Sequence, residues 1–368
     1  MLYNEDQKLI LDAAQGMLSS VAPVSAFRDL RSQHTTAYSD DVWQAIAEMG
    51  WTAILVPEQY DGLSLSAIEA GIVAQEMGKH LTVSPFISSS VLATVALRES
   101  NNEALKSRLL PSMASGEIKV AFACDGGPRH NGKLSGIHCT VEGSHVSASI
   151  ANVTDAQTAN HVIVYLSVNG EPTLVCIDSN ANGITSEELP MIDASAASKL
   201  TLTNIEIVDD AILAKGDEAK AIVETAVAYG RAILAAELLG SAEQAMHMTV
   251  EYLKERKQFG VLIGSFQALQ HRAAMLYSEI ELARSIVLNA LNALANGQDN
   301  AAALAVAAKS KANDAAILAG QEGVQLHGGI GMTDEHDIGL YLKRIRTSSL
   351  KLGDSYQLKS LYATMAGF

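Results

Sequence analysis

Apolar positions recur at helical spacing toward both ends of the chain and in short β-branched runs between them. From Asn4 to about Ile118, Ile10, Ala14, Met17 and Val21 repeat with a period near 3.6. Asp41 to Gly50 reads as a helix with Trp43, Ile46 and Met49 on one stripe and a glycine at its C-terminus. Pro57-Glu-Gln-Tyr-Asp-Gly-Leu63 is a turn-rich loop. Ser66 to Met77 predicts a second amphipathic helix stopped by Gly78, and Leu110-Pro111 should break the helical run before Ser115-Gly116.

From Lys119 to about Lys215 the period changes. Val120–Ala123, Ile137–Val141, Val162–Leu166, Thr173–Ile177 and Leu200–Ile207 are short strand-like runs. Gly126-Gly127-Pro128, Asn131-Gly132, Asn169-Gly170 and Asn182-Gly183 punctuate them, as turns between strands of a compact all-β unit would. Beyond Asp217 the chain is alanine-rich and helical. Ala221–Glu255, Phe266–Asn296 and Ala301–Gln325 each predict a long helix, and the small side chains of Ala301–Ala308 suit a tightly packed bundle. The expected fold class is α+β: an N-terminal helical domain (1–118), a central small β-barrel or sandwich (119–215) and a C-terminal four-helix bundle (216–368).

Composition narrows the function. The chain has 368 residues and a formal net charge of −15, which disfavours non-specific binding to nucleic acid or an anionic membrane. A local basic pocket for a phosphorylated ligand remains compatible with that balance. Three cysteines without a CxxC pair read as reduced thiols. The N-terminus has no basic segment leading into an apolar run, and no uncharged apolar stretch approaches the ~20 residues of a membrane span. A cytoplasmic protein is therefore expected.

Two segments carry chemistry. In Arg256-Lys-Gln-Phe259-Gly260 the guanidinium is a planar fork suited to a pyrophosphate, and Phe259 offers a face for a flat ring. The alternative for Arg256 is an ion pair with Glu251 or Glu255 on a solvated helix face. In Gln325-Leu-His-Gly328-Gly329-Ile-Gly331 the glycines remove Cβ atoms where a backbone could approach a ligand, or simply end a helix, with Gly328 as its C′ residue. His327, His336 and Asp337 lack the i, i+4 histidine pair of a helical zinc site, so no metal is expected.

Together with the α–β–α order and Trp51-Thr-Ala-Ile-Leu-Val-Pro57-Glu-Gln-Tyr-Asp-Gly62, these two segments resemble the acyl-CoA dehydrogenase family of flavoproteins over essentially the whole chain. The resemblance implies FAD as cofactor, contacted by Arg256, Phe259 and Gln267. It also implies that Gln325, Gly328 and Gly329 meet the ADP half of an FAD bound by a neighbouring subunit, and hence a homo-oligomer or an assembly with a paralogous subunit. On this reading the nucleotide lies between Arg256 of one protomer and the Gly328–Gly331 bend of another. The implied reaction converts an acyl-CoA thioester to its 2-enoyl-CoA, with electrons passing to an electron-transfer flavoprotein. In the central segment the family's threonine–glutamate–proline and aromatic–x–threonine stretches are matched only loosely, by Ala121–Gly127 and Ile150–Asp155. The segment from Pro128 to Lys133 looks shortened.

One part of the pattern is missing. Removing the α-proton needs a carboxylate, which the family places at one of two positions, corresponding here to Leu352 and to Gly230. Neither is acidic. Asp354 is the nearby candidate base, with a helix N-cap as its alternative role; Glu237 is more distant, two turns beyond Gly230 on one face. Arg231 stands where the family keeps an arginine beside the acyl-CoA pocket. Lys343, Arg344 and Arg346 read as a solvated basic face or as phosphate partners. The sequence leaves three readings: a dehydrogenase, a non-catalytic FAD-sharing subunit of a heteromeric dehydrogenase, and an oxidase of the same fold with an aspartate base.

Overall fold

The structure, a computed structural model, describes residues 3–33, 38–124 and 134–368. The chain divides into two compact units. One comprises Met1–Arg31, Gly71–Thr82 and Arg231–Phe368; the other comprises Ser32–Ala70 and Val83–Gly230. The boundaries 118 and 215 follow the change of element type and do not coincide with these discontinuous units. The helices among the described residues are α1 (Glu5–Val21), α2 (Val24–Gln33), α3 (Asp40–Glu48), α4 (Ala67–Lys79), α5 (Thr94–Glu99), α6 (Glu103–Ala114), α7 (Gly216–Glu255), α8 (Gln267–Ala295), α9 (Ala301–His327), α10 (Ile338–Leu350) and α11 (Ser355–Met365). A π-helical stretch, Phe86–Ala93, runs directly into α5.

The second unit is built on two sheets. One has the order β1 (Val120–Ala123), β5 (His161–Val168), β6 (Glu171–Asp178), β9 (Ile212–Lys215), with β2 (Ile137–His138) also pairing with β5. The other is antiparallel, in the order β3 (Thr140–Glu142), β4 (His145–Thr154), β8 (Ala197–Glu206), β7 (Ile184–Glu188). Alternate residues Val162, Val164 and Leu166 of β5 face Ile150, Leu200 and Leu202 in a shared core, which makes the pair a sandwich. The intervening Ile163 and Tyr165 are buried too, so β5 is covered on both faces and reads as one apolar run. Helical segments of the same unit are pinned to one another and to strands by buried bonds. Thr52 Oγ1 donates to Ala114 O (2.6 Å), Ser100 Oγ donates to Leu213 O (2.9 Å), and Val120 N donates to Ser89 Oγ (3.0 Å).

The predicted run Ile137–Val141 splits at Cys139, where the chain leaves one sheet for the other. Strands β4, β7 and β9 were not legible. β4 alternates only over Val146, Ala148 and Ile150 before the exposed Ala151-Asn152 and carries two register shifts, and β7 is almost wholly exposed. Asn169-Gly170 forms the expected two-residue hairpin, both residues at positive φ. Gly126-Gly127-Pro128, Asn131-Gly132 and the 128–133 segment lie outside the described residues.

In the first unit α9 packs against α8, α10 and α11, and its buried face is mostly Ala305, Ala308, Ala312, Ala315, Ala316 and Ala319. Two helix-end expectations are corrected. The helix begun at Ala67 continues through Gly78 to Lys79, and Gly78 serves a crossing instead: a Cβ there would lie 1.9 Å from Glu237 O on α7. Gly240 is its counterpart, with a Cβ 1.8 Å from Gln75 O, and Ser241 Oγ donates to Gly78 O (3.0 Å). Pro111 does not break α6, which runs on to Ala114. Cys124, Cys139 and Cys176 are buried free thiols, and burial pushes Cys176 up to about 12. Among the described residues no single helix is long and apolar enough to cross a membrane.

Candidate nucleotide and acyl-CoA site

Helix α7 ends at Glu255, and the chain turns through a two-strand hairpin, β10 (Lys257–Gln258) and β11 (Val261–Leu262), before α8. Phe259 and Gly260 form its tip, both at positive φ (54° and 81°). A phenylalanine in that conformation is strained, yet its ring is 91% exposed. Glu251 pairs with Lys254 (2.7 Å) instead of Arg256. Arg256 is exposed and has no carboxylate partner among the described residues. Gln267 opens α8, also exposed.

The glycine loop joins this hairpin. Leu326 of α9 packs with Leu253 and Ile263, and the His327 ring lies 4.5 Å from that of Tyr252. Arg256, Phe259, Gln267, Gln325, Gly328 and Gly329 are therefore gathered at one end of a single protomer, every one of them exposed. Within this one chain the hairpin and the glycine bend are neighbours, joined through Leu253, Ile263 and Leu326.

The three glycines serve different ends. Gly328 has φ 66° and ψ −139°, a conformation nearly confined to glycine. A Cβ on Gly331 would lie 2.6 Å from Val324 O, so that glycine is required by internal packing. At Gly329 neither reason holds: no positive φ is recorded, and a Cβ would meet nothing within 4 Å. The open space in front of it, beside a free guanidinium fork and an exposed aromatic ring, fits the approach of a dinucleotide's phosphates and flat ring. Gly329→Ala is accordingly expected to leave the melting temperature unchanged while weakening FAD uptake several-fold. Gly331→Ala should lower the melting temperature by several degrees. Thermal melts and flavin titration of the two variants check this.

Behind the loop, His327 is 2% exposed, its Nδ1 lies 2.6 Å from Gly323 O, and its ring is 4.2 Å from that of His336. Burial holds both histidines below their ordinary pKa. Asp337 is engaged by Arg28 Nε (2.6 Å), Asp334 by Arg31 (2.7 Å), and Arg28 also donates to Asp334 O (2.6 Å). With Asp337 facing an arginine and His327 Nδ1 facing a carbonyl, these groups do not converge as a ligand set. Arg344 departs from the solvated-face reading. It is buried, donates to Thr82 O (3.1 Å) and lies over the Phe27 ring, 5.3 Å from its centroid.

The base candidate Asp354 takes the capping role that was its alternative. It is the N-cap of α11: its Oδ1 accepts from Tyr356 N and Gln357 N, both 2.9 Å, and Gln357 Oε1 accepts from Asp354 N. That reciprocal capping box gives one carboxylate oxygen to the helix. The preceding residue pair is unusual. Leu352 has φ 58° and Gly353 φ 117°. Arg231, buried on α7, donates from Nε to Leu352 O (3.0 Å), so part of its guanidinium holds this turn. Glu237 accepts from Ser348 Oγ (3.3 Å).

Sequence reasoning missed two residues here, Lys309 and Asn313. Both are 0% exposed on α9, and Lys309 Nζ donates to Asn313 Oδ1 (2.5 Å), Ser348 O (3.2 Å) and Ser349 O (3.5 Å). The available signal was a lysine and an asparagine set at helical spacing within the apolar stripe of Ala305, Ala308, Ala312 and Ala316.

Comparison with known proteins shows the family and the fold. Residues 4–117 match the acyl-CoA dehydrogenase N-terminal domain and residues 220–363 its C-terminal domain. Acyl-CoA dehydrogenase IpdE2 of Mycobacterium tuberculosis is 29% identical over 346 residues, covering 94% of this chain and 92% of the relative. A solved variant of the Tcur3481–Tcur3483 steroid ACAD is 26% identical with a TM-score of 0.87, covering 98% of both chains. Butyryl-CoA dehydrogenase from Megasphaera elsdenii shares the fold at 20% identity, with a TM-score of 0.89 over 100% of this chain and 99% of that one. The chain belongs to the acyl-CoA dehydrogenase family, FAD-dependent oxidoreductases acting on CH–CH donors.

Proposed function

We propose that this chain binds FAD through Arg256, Phe259, Gln267, Gln325, Gly328 and Gly329, and takes part in converting an acyl-CoA thioester to the 2-enoyl-CoA in the cytoplasm. The observation that carries this reading is the exposed surface that gathers all six residues, with Gly329 open in front. Arg256 would hold the pyrophosphate and the glycine loop would admit the ADP half against its backbone. Bound FAD supplies the acceptor for the hydride leaving the substrate β-carbon. The proton leaving the α-carbon must go to a carboxylate, and the electrons then to an electron-transfer flavoprotein.

A second reading starts from one observation. Leu352 and Gly230 stand where the family resemblance implies a base, neither is acidic, and Asp354 caps α11. On this reading the chain acts beside a paralogous acyl-CoA dehydrogenase subunit that carries the base. The names of two relatives with known structures fit such an assembly: the Tcur3481–Tcur3483 enzyme, and the ChsE4–ChsE5 complex of Mycobacterium tuberculosis, which shares the fold at 20% identity. The test is anaerobic bleaching of flavin absorbance by butyryl-, octanoyl- and steroid side-chain CoA thioesters. The chain is assayed alone and co-expressed with a paralogous subunit. Both readings expect flavin uptake by the chain alone; the first expects bleaching by the chain alone, the second bleaching only in the co-expressed enzyme. Turnover by the isolated oligomer removes the subunit reading, and a colourless protein that refuses FAD removes both.

A further inference from the structure

Lys309 has no part in the cofactor surface, yet its ammonium is fully buried with three oxygens around it. Burial, with Arg231 and Lys351 nearby, holds it well below the ordinary lysine pKa, while Glu237 and Asp354 oppose that shift. An apolar side chain would fill the same space without desolvating a charge. What the ammonium and Asn313 touch is one short segment. Ser348 O and Ser349 O belong to the last turn of α10, whose carbonyls have no intrahelical partner, and a cation there is favourable. Asn313 Nδ2 donates to Gly353 O (3.3 Å), and Arg231 Nε donates to Leu352 O (3.0 Å). Four carbonyls between Ser348 and Gly353 are thus held by three side chains from α7 and α9. The segment they hold contains Leu352 at φ 58°, a conformation a leucine adopts only when its surroundings impose it.

We propose that Lys309 and Asn313 are positioning residues for the acyl-CoA: they hold the Lys351–Asp354 turn so that Leu352 meets the acyl chain in one fixed conformation. This rests on the reading above that position 352 borders the reacting end of the substrate. The turn keeps its clamp although position 352 is a leucine. Its remaining role is to close one wall of the acyl site.

The test uses full-length, FAD-loaded protein. Asn313→Asp keeps an acceptor for Lys309 but replaces the donor to Gly353 O. Lys309→Met removes the ammonium at similar length, and serves if the first variant does not fold. Three readouts are compared with the wild type: the flavin absorbance shift on titration with octanoyl-CoA, the rate of tryptic cleavage after Lys351, and flavin content. Each variant is expected to weaken octanoyl-CoA binding about 10-fold and to speed cleavage after Lys351, with flavin content unchanged. A purely structural role would lower the melting temperature without this selective change. Wild-type titration and cleavage in the variants, with the wild type binding, overturn the clamp alone. A wild type that shows no absorbance shift removes the acyl-CoA reading of this turn, and the positioning role with it.

Discussion

Leu352→Glu is expected to raise the acyl-CoA dehydrogenase activity of the isolated, FAD-loaded protein well above that of the wild-type chain. A positioned general base contributes roughly 10²–10⁴-fold, so even the lower bound should be visible as anaerobic flavin bleaching. The substitution adds little strain of its own, because leucine already occupies φ 58° there and glutamate is no bulkier at Cβ. Its backbone would be held by the same bond from Arg231 Nε to the residue-352 carbonyl. Arg231, Lys309 and Lys351 nearby favour the ionised carboxylate. Activity should rise with pH as the new carboxyl loses its proton. Leu352→Gln is the isosteric control and should stay at the wild-type rate. A Leu352→Glu protein that binds FAD and octanoyl-CoA but bleaches no faster than the wild type would show that position 352 does not face the substrate α-carbon.

Arg256→Ala is expected to purify largely colourless. Hydrogen bonds to charged groups are worth about 1.5–3 kcal/mol, so losing one guanidinium contact to the pyrophosphate should weaken FAD binding roughly 10- to 100-fold. Arg256→Lys should recover only part of this, since an ammonium cannot reproduce the planar fork. The exposed guanidinium has no carboxylate partner among the described residues, so its removal should leave the melting temperature of the flavin-free protein unchanged. Flavin-to-protein absorbance ratios after gel filtration, with fluorescence titration of the flavin-free protein, provide the measurement. An unchanged ratio would take Arg256 out of the cofactor site.

Much of the architecture could be read along the chain because its local signals agree with the fold. The long helices α7, α8 and α9 appear with ends close to those predicted, and the Asn169-Gly170 hairpin forms as its turn chemistry requires. Failures cluster where a distant neighbour decides. Gly78 looks like a helix stop from its own surroundings, but the constraint that requires glycine there is the carbonyl of Glu237 across the crossing. Arg344 looks solvated among Lys343 and Arg346, but Phe27 and Thr82 cover it. β7 is nearly all exposed, so no apolar alternation announces it; its existence depends on pairing with β8.

The chemistry divides in the same way. A guanidinium fork, an aromatic face and glycines without Cβ are properties of residue type and order, and the missing carboxylate is what the family resemblance brings out. Which of those glycines is open to a ligand could be learned only from the folded chain, as could the shared surface of Arg256 and Gly329 and the commitment of Asp354 to a helix cap. The same is true of Lys309, whose burial against the Leu352 turn no local pattern records. The reason is range. Helix periodicity and turn preference act over a few neighbouring residues, whereas burial, hydrogen-bond partners and free space depend on groups far apart in the chain that folding brings within a few ångströms.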